Sequence, residues 1–418
     1  MKNVCSLIIL VFISFYVYSQ NTVTIDECQQ WAVSHSSANV QKSLNAELLK
    51  VKLTDVSSHL YPTLEINGHA SYQSDVITFP EGISNLTPLS KDQYNISLDF
   101  SQNVFYGGKM FFGRKYERLL NKEEIYKLDI SINEIKEQVI SIYLNLLIVE
   151  KQINILSSVE STINEQLDQL RVLLKEGVVY GNPVAQLELE KLKIEQQKGD
   201  LKATKESLVA SLSIVTGKDL SNVAFVVPPE PATDNNLSSY RLEFDIFQNQ
   251  QAALDYQRKL HFSRSLPKLS IFATGGYGRP TYDILSNQFD WYYMVGVRLN
   301  IPLIDWAKTS GVGNIINLQK SILSAKETDF ERANKVQIQE KLNEIRRLED
   351  LLVLDKQIAE KQIEITKTFK TQLLNGTITA FDYIKQQNDE LQSLINQEVH
   401  SIQLLKAKYE LMALKGKL

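Results

Sequence analysis

Apolar and polar side chains alternate strictly along one early stretch of the chain. Leu64, Ile66, Gly68, Ala70 and Tyr72 interleave with Glu65, Asn67, His69, Ser71 and Gln73. A period of two places the two sets on opposite faces of a β-strand, one apolar and one polar. Tyr94, Ile96, Leu98 and Phe100 against Asn95, Ser97, Asp99 and Ser101 repeat the pattern, as do Trp291, Tyr293, Val295, Val297 and Leu299 against Tyr292, Met294, Gly296, Arg298 and Asn300. A fourth strand, residues 269–277, is weaker because Phe272 interrupts its polar face. A soluble antiparallel sheet shows the same alternation. Two further details point to a membrane wall. Strands of about 10 residues are long enough to cross a bilayer at a tilt. Tyr61, Tyr72, Tyr94, Phe105, Tyr106, Trp291, Tyr293 and Trp306 gather near strand ends, as an interfacial girdle requires. The smallest bacterial barrels have about 8 strands, so four strands per chain imply that several copies share one wall.

The period then changes. Leu128, Ile132, Ile135, Val139, Ile142, Leu146, Val149, Ile153 and Leu156 follow an unbroken alternation of four and three, the seam of a coiled coil. It resumes at Ile163, Leu167, Leu170 and Leu174. Leu187, Ile194, Leu201, Leu208 and Val215 then return seven apart, with Lys191, Lys198 and Lys205 on the neighbouring column. Leu351, Ile358 and Ile365 going out, with Phe381, Ile384, Leu391, Ile395, Ile402, Leu405, Tyr409 and Met412 coming back, echo the arrangement. A helix of about 68 residues rises about 100 Å, and a stripe this narrow predicts paired rods rather than a buried core helix. No stretch after the N-terminal one reaches the ~18 consecutive apolar residues of a spanning helix. Shorter helices are predicted over 24–56 and 237–264.

These elements are written twice. Tyr61-Pro62-Thr63-Leu64 returns as Leu266-Pro267-Lys268-Leu269. The strand exit Val104-Phe105-Tyr106-Gly107-Gly108-Lys109 returns as Leu303-Ile304-Asp305-Trp306-Ala307-Lys308, and the glycine break at Gly177 returns at Gly376. Lys109 and Lys308 are 199 positions apart, as are Gly177 and Gly376. The expected organisation is a first repeat over 20–232 and a second over 233–418, with Pro228, Pro229 and Pro231 at the crossover.

Composition sets the compartment. Lys2, an apolar run over 4–17 and the small residue Ser19 predict a secretory signal over 1–19. Of two cysteines, Cys5 lies in that signal, which leaves Cys28 as a half-buried helix cysteine. A net charge of −4 with a pI near 5.9 offers no basic patch for nucleic acid. His35, His59, His69, His261 and His400 are scattered without metal-ligand spacing. Gly275-Gly276-Tyr277-Gly278 lies inside a strand pattern and does not open a helix, so it reads as relief of crowding in a curved sheet rather than a phosphate cradle. No enzyme, metal site or cofactor is indicated.

With Phe105-Tyr106-Gly107-Gly108-Lys109, the duplicated Pro motif and Gly376-Thr377-Ile378-Thr379-Ala380-Phe381-Asp382-Tyr383-Ile384-Lys385-Gln386 in this order, the chain resembles the TolC-like outer membrane efflux protein family over 22–414. The resemblance implies an α+β membrane protein of Gram-negative bacteria. In it a homotrimeric outer-membrane β-barrel, four strands per chain, continues into a long periplasmic α-helical coiled-coil barrel. It also implies a passive exit duct for drugs or toxic compounds, whose tips meet a periplasmic adaptor and an inner-membrane pump, proton-driven or of ABC type. The tip residues would be Gly177, Val178, Val179, Gly181 and Pro183, with Gly376, Thr377 and Ile378. Asp382 matches one acidic gate position; Lys385 stands where a second aspartate often follows, and could pair with Asp382 instead. Pro183 also replaces a common aspartate and suits the first turn of a returning helix. Asn67, Ser71, Asn95, Ser97, Asp99, Arg298 and Asn300 would line the barrel lumen. Two other readings are a duct for type I protein secretion and an exported coiled-coil scaffold that conducts nothing.

Overall fold

The computed structural model describes residues 22–77, 89–177, 180–232, 234, 236–283, 285–302 and 306–417, with backbone only for 306–310. The signal segment, Val178, Val179, the Leu303-Ile304-Asp305 motif and the Trp306 side chain lie outside the described residues. Among those described, the order is β1 (Thr22–Val23), α1 (Ile25–His35), α2 (Ala38–Ser58), β2 (Thr63–Tyr72), β3 (Asp92–Tyr106), α3 (Lys109–Lys175) and α4 (Gly181–Thr216). After these come β4 (Ala224–Phe225), α5 (Leu242–Phe262), β5 (Lys268–Arg279), β6 (Asp290–Asn300), α6 (Trp306–Leu374) and α7 (Ala380–Leu414). The chain divides into two compact units. One takes Ser37–Ser131 and Tyr240–Lys335; the other takes Ile132–Ser239, Val336–Leu418 and the described residues up to Ser36.

The first of these units holds a four-stranded antiparallel sheet of order β2-β3-β5-β6. Its register keeps like with like. Asp99 sits opposite Glu65 and Thr274, while Leu98 sits opposite Ile66 and Gly275. A register shift between Asn103 and Phe105 marks a β-bulge. The outer strands β2 and β6 each leave one edge unpaired among the described residues, and β6 ends at Asn300, short of the motif expected to close it. The helices follow the strand order. The Lys42 ammonium on α2 meets Asp129 on α3 at 2.5 Å, and Lys52 meets Glu117 at 3.4 Å. Asn249 and Gln250 on α5 donate to Leu119 O and Glu123 at 2.7 and 2.8 Å. Lys320 on α6 reaches Asp255 on α5 at 2.7 Å, and Phe330 takes the Phe244 and Phe247 rings.

The second unit is mostly helical, and its buried apolar residues form several separate clusters. Ile25, Cys28 and Ala32 of α1, Val139, Ile140, Tyr143, Leu144 and Leu147 of α3, Leu212 of α4 and Ile402, Leu405 and Tyr409 of α7 pack together. Here α3 differs from the expected narrow seam. Val139, Ile140, Tyr143, Leu144, Leu146, Leu147 and Val149 are all buried, because α1, α4, α7 and the β1–β4 pair supply residues to the core around it. α3 also contains an 18-residue window that is, by length and composition only, apolar enough to cross a membrane, although it is not an unbroken apolar run, and 44% of it is buried inside the fold.

The parallel two-residue pair β1–β4 was not foreseen. It is held by the Tyr143 hydroxyl, which lies 2.7 Å from the Val23 and Val226 carbonyls and accepts the Val226 N–H at 2.9 Å. Cys28 is wholly rather than half buried, and burial, aided by Glu27, pushes its thiol up to about 12. The helix expected over 24–56 is interrupted at Ser36, whose backbone turns extended after a capping box of Thr24 and Glu27 has started α1.

Charged columns fix the pairing of the rods. Lys205 meets Glu150 at 2.8 Å, Lys198 meets Glu160, and Arg171 meets Glu188 at 2.7 Å, so α4 runs antiparallel to α3. The lysine column seen in the sequence is thus one side of an inter-helix ladder, with Lys191 instead facing Glu195 on its own helix. Lys341 with Glu410 at 2.7 Å, Glu349 with Lys408 at 2.9 Å and Asp355 with His400 at 2.5 Å give α6 and α7 the same arrangement.

Candidate functional site

The polar face of the sheet is organised around Asp99. Its carboxylate accepts from Asn67 and Ser97 at 2.8 Å each on one oxygen and from the Thr274 hydroxyl at 2.6 Å on the other. Beside it the Tyr292 hydroxyl donates to Asn95 at 2.6 Å. Of the expected lumen residues, Asn67, Asn95, Ser97 and Asp99 therefore join hydrogen-bonded groups. Arg298 lies 4.9 Å from the centre of the Phe272 ring. Ser71 Oγ has no partner, and Asn300 is exposed opposite Lys268.

Thr274 and Tyr292 are the members the sequence reading missed. The signal that finds them is register, since Thr274 is the direct partner of Asp99, and Tyr292 pairs with Gly276. The polar face takes two rings only because glycines lie under them. A Cβ on Gly276 would sit 2.5 Å from the Tyr292 ring, and one on Gly296 would sit 2.8 Å from Phe272.

The opposite face is apolar and uncovered. Leu64, Ile66, Ile96, Leu98, Val295, Val297 and Leu299 are exposed, with Val295 at 73%. Tyr94, Tyr277 and Trp291 meet Phe289 or one another at the turn end of the sheet, with Arg279 5.0 Å from the Phe289 ring centre and 2.5 Å from the Asp92 carboxylate. Tyr61 and Phe105 stand exposed at the other end.

Each helical tip turns on a glycine with positive φ, +76° at Gly177 and +69° at Gly376. At the second, the Gly376 N–H bonds to Leu373 O at 3.0 Å and the Thr377 N–H to Gln372 O at 3.0 Å, the two bonds of a Schellman ending. The Thr377 hydroxyl adds a bond to the same Gln372 carbonyl at 2.9 Å. The chain restarts at once with a capping box. Asp382 N–H donates to Thr379 Oγ1 at 3.2 Å, while Thr379 N–H and Oγ1–H donate to Asp382 Oδ2 at 3.1 and 2.5 Å. The Thr379 hydroxyl and amide hold the Asp382 carboxyl below its ordinary range, with Lys385 a minor aid. Among the described residues no ion pair joins Asp382 to Lys385, because the cap has taken the carboxylate.

Ile378 is half-buried against Leu373, Ala380 and Tyr383, a hydrophobic staple rather than an exposed contact. Tyr383 is fully buried, accepts from the Gln166 amide on α3, and has its hydroxyl pushed up to about 12 by burial. Phe381, read from sequence as part of the seam, is 64% exposed. At the first tip Gly177 and Gly181 are exposed, Pro183 occupies the first turn of α4, and Tyr180 just before it is 88% exposed. The most exposed large apolar side chains at the described tips are Tyr180 and Phe381, with Leu174 and Leu374 exposed less beside the two glycines.

No family model and no curated relative matches the chain. Solved structures do. The CmeC outer membrane channel of Campylobacter jejuni matches with a TM-score of 0.67 at 16% identity, covering 94% of this chain and 86% of its own. The outer membrane protein VceC of Vibrio cholerae matches at 0.69 and 13%, covering 94% and 96%. The MtrE outer membrane channel of Neisseria gonorrhoeae, in its open state, matches at 0.66 and 13%, covering 94% and 89%. The chain has the fold of these channels along nearly its whole length.

Proposed function

We propose that three copies of this chain close one β-barrel in the outer membrane of a Gram-negative cell and act as a TolC-like efflux duct. Small molecules would pass through it passively from an inner-membrane pump and a periplasmic adaptor. The observation that carries this reading is the sheet. It pairs a hydrogen-bonded polar face with an exposed apolar face, is ringed at its ends and, among the described residues, is open at both edges. Such a face in water is a large apolar patch; against lipid it is satisfied, and closure removes the edges. The shared fold with outer membrane channels supports the same reading.

In this duct the Asp99 network lines a wet path, and no covalent chemistry is required. Asp382, repeated on three copies, places a ring of carboxylates held ionised by its caps, which favours cations. The tips, through Gly177, Val178, Val179, Gly181, Pro183, Gly376 and Thr377 with Tyr180 and Phe381, meet the adaptor. The test is reconstitution of detergent-purified protein into planar bilayers. A heat-labile trimer with a defined conductance is expected, with cation selectivity reduced in Asp382→Ala. A water-soluble monomer without conductance overturns the reading, and unchanged selectivity removes Asp382 from it.

A further inference from the structure

Cations gather at one end of the polar sheet face. β3 leaves the sheet at Tyr106, β5 enters it at Lys268 and β6 leaves it at Asn300, so this end is the foot of the face, beside the helices. Tyr106 sits directly opposite Lys268. Its ring holds two ammonium groups, Lys268 Nζ at 5.1 Å and Lys109 Nζ at 5.2 Å from its centre, and stacks with His59 at 6.3 Å. Lys109 Nζ also lies 3.4 Å from His59 Nε2. One step along, Arg298 stands opposite Ser270 and lies over the Phe272 ring.

The period of two fixes which face this is. Lys268, Ser270, Phe272 and Thr274 alternate with Leu269, Ile271 and Ala273, and Thr274 donates to Asp99. The cations therefore share the face of the Asp99 network, yet that network does not neutralise them. Lys268 and Thr274 are six residues apart on one strand, about 20 Å, and the Asp99 carboxylate already accepts from Asn67, Ser97 and Thr274. Lys109, Lys268 and Arg298 make no ion pair with any described carboxylate. An exposed aromatic face attracts cations only weakly. Two like charges converging on one ring thus leave a place for an anion between them.

We propose that Lys109, Lys268 and Arg298, backed by Tyr106 and His59, bind a soluble multivalent oxyanion at the foot of the polar face. The site rests on the duct reading, in which this face lines the lumen and three copies bring their cations to one level of the path, as in other charged rings that select ions. Phe105 and Leu269 carry the apolar face at that level, so the occupant comes from the water of the lumen rather than from a lipid headgroup. Its sign is opposite to that which Asp382 attracts.

The test is single-channel recording of the full-length protein in phosphatidylcholine bilayers with inorganic tripolyphosphate. Reversible block is expected, weakening as salt rises because exposed charges are then screened. Lys109→Gln/Lys268→Gln should need roughly tenfold more tripolyphosphate for the same block, since two charge-assisted contacts are lost. Arg298→Gln should shift the block in the same direction and serves if the double variant folds poorly. Lys361→Gln, a helix lysine outside the cluster, should be blocked as the parent is. A conducting channel that tripolyphosphate does not block overturns the site and leaves the duct standing, whereas absence of conductance overturns both. Equal block of parent and cluster variants overturns the assignment to these residues. Block that disappears when phosphatidylglycerol replaces phosphatidylcholine overturns the soluble occupant in favour of a headgroup.

Discussion

In the helical unit Leu144, Leu146 and Leu212 are wholly buried by neighbouring elements of their own chain, whereas on the sheet Leu64, Ile66 and Val297 meet no covering side chains. Both regions are patterned as regularly as a protein can be, one with a period near 3.5 and the other with a period of two. A buried leucine contributes about 1.5–3 kcal/mol, and the helical residues obtain that within one copy. The sheet residues do not. One region thus buries a core within its own chain, while the other presents a whole apolar sheet face that its own chain leaves exposed.

The largest test of this contrast compares two leucines. Leu144→Ala should cost about 2–5 kcal/mol by cavity formation, read as a lower denaturation midpoint, while Leu64→Ala at its exposed site should move that midpoint by less than about 0.5 kcal/mol. Equal effects would break the comparison. Next, Val297→Arg should cost about 2–4 kcal/mol if the residue sits near the bilayer centre, measured by refolding into vesicles. Equal vesicle stability of the variant and the parent would mean that lipid does not cover this face.

A smaller effect is expected at the tip. Gly376→Ala meets no clash but forces a Cβ into left-handed backbone, about 1–2 kcal/mol, visible as faster local amide exchange around 372–380. The smallest concerns acid. Because the folded Asp382 carboxyl is depressed by its cap, its contribution is fully present above the ordinary carboxylate range near pH 4 and fades as pH falls through the lower folded value. Asp382→Asn should abolish that acid-dependent change in exchange at the start of α7, and an unaltered pH profile would remove the cap from the tip's stability.

Much of this architecture is legible in the residues because it is periodic. The strands, the coiled-coil stripes and the glycine turns each announce themselves within a short window. What escaped is what periodicity does not encode. The pairing of β3 with β5 joins residues far apart in the chain, so Thr274 could not be placed beside Asp99 from either strand alone. β1 and β4 are two residues each and have no period to read. Leu144 and Leu147 lie off the four-three stripe, and their burial depends on α1, α4 and α7 crowding one stretch of α3. At the tip, Ile378 and Phe381 are both apolar and three apart; only the capping geometry decides that the first turns inward as a staple and the second outward.

The sulfur at Cys28 has a practical corollary. Sealed among Val139, Tyr143 and Leu212 and held as a neutral thiol with its pKa near 12, it offers almost no thiolate at neutral pH, and thiolate is the species that maleimides and spin labels attack. Among the described residues, then, the chain is silent to such reagents. A single engineered cysteine on any exposed surface would report its own surroundings without background from Cys28, with that native residue left in place.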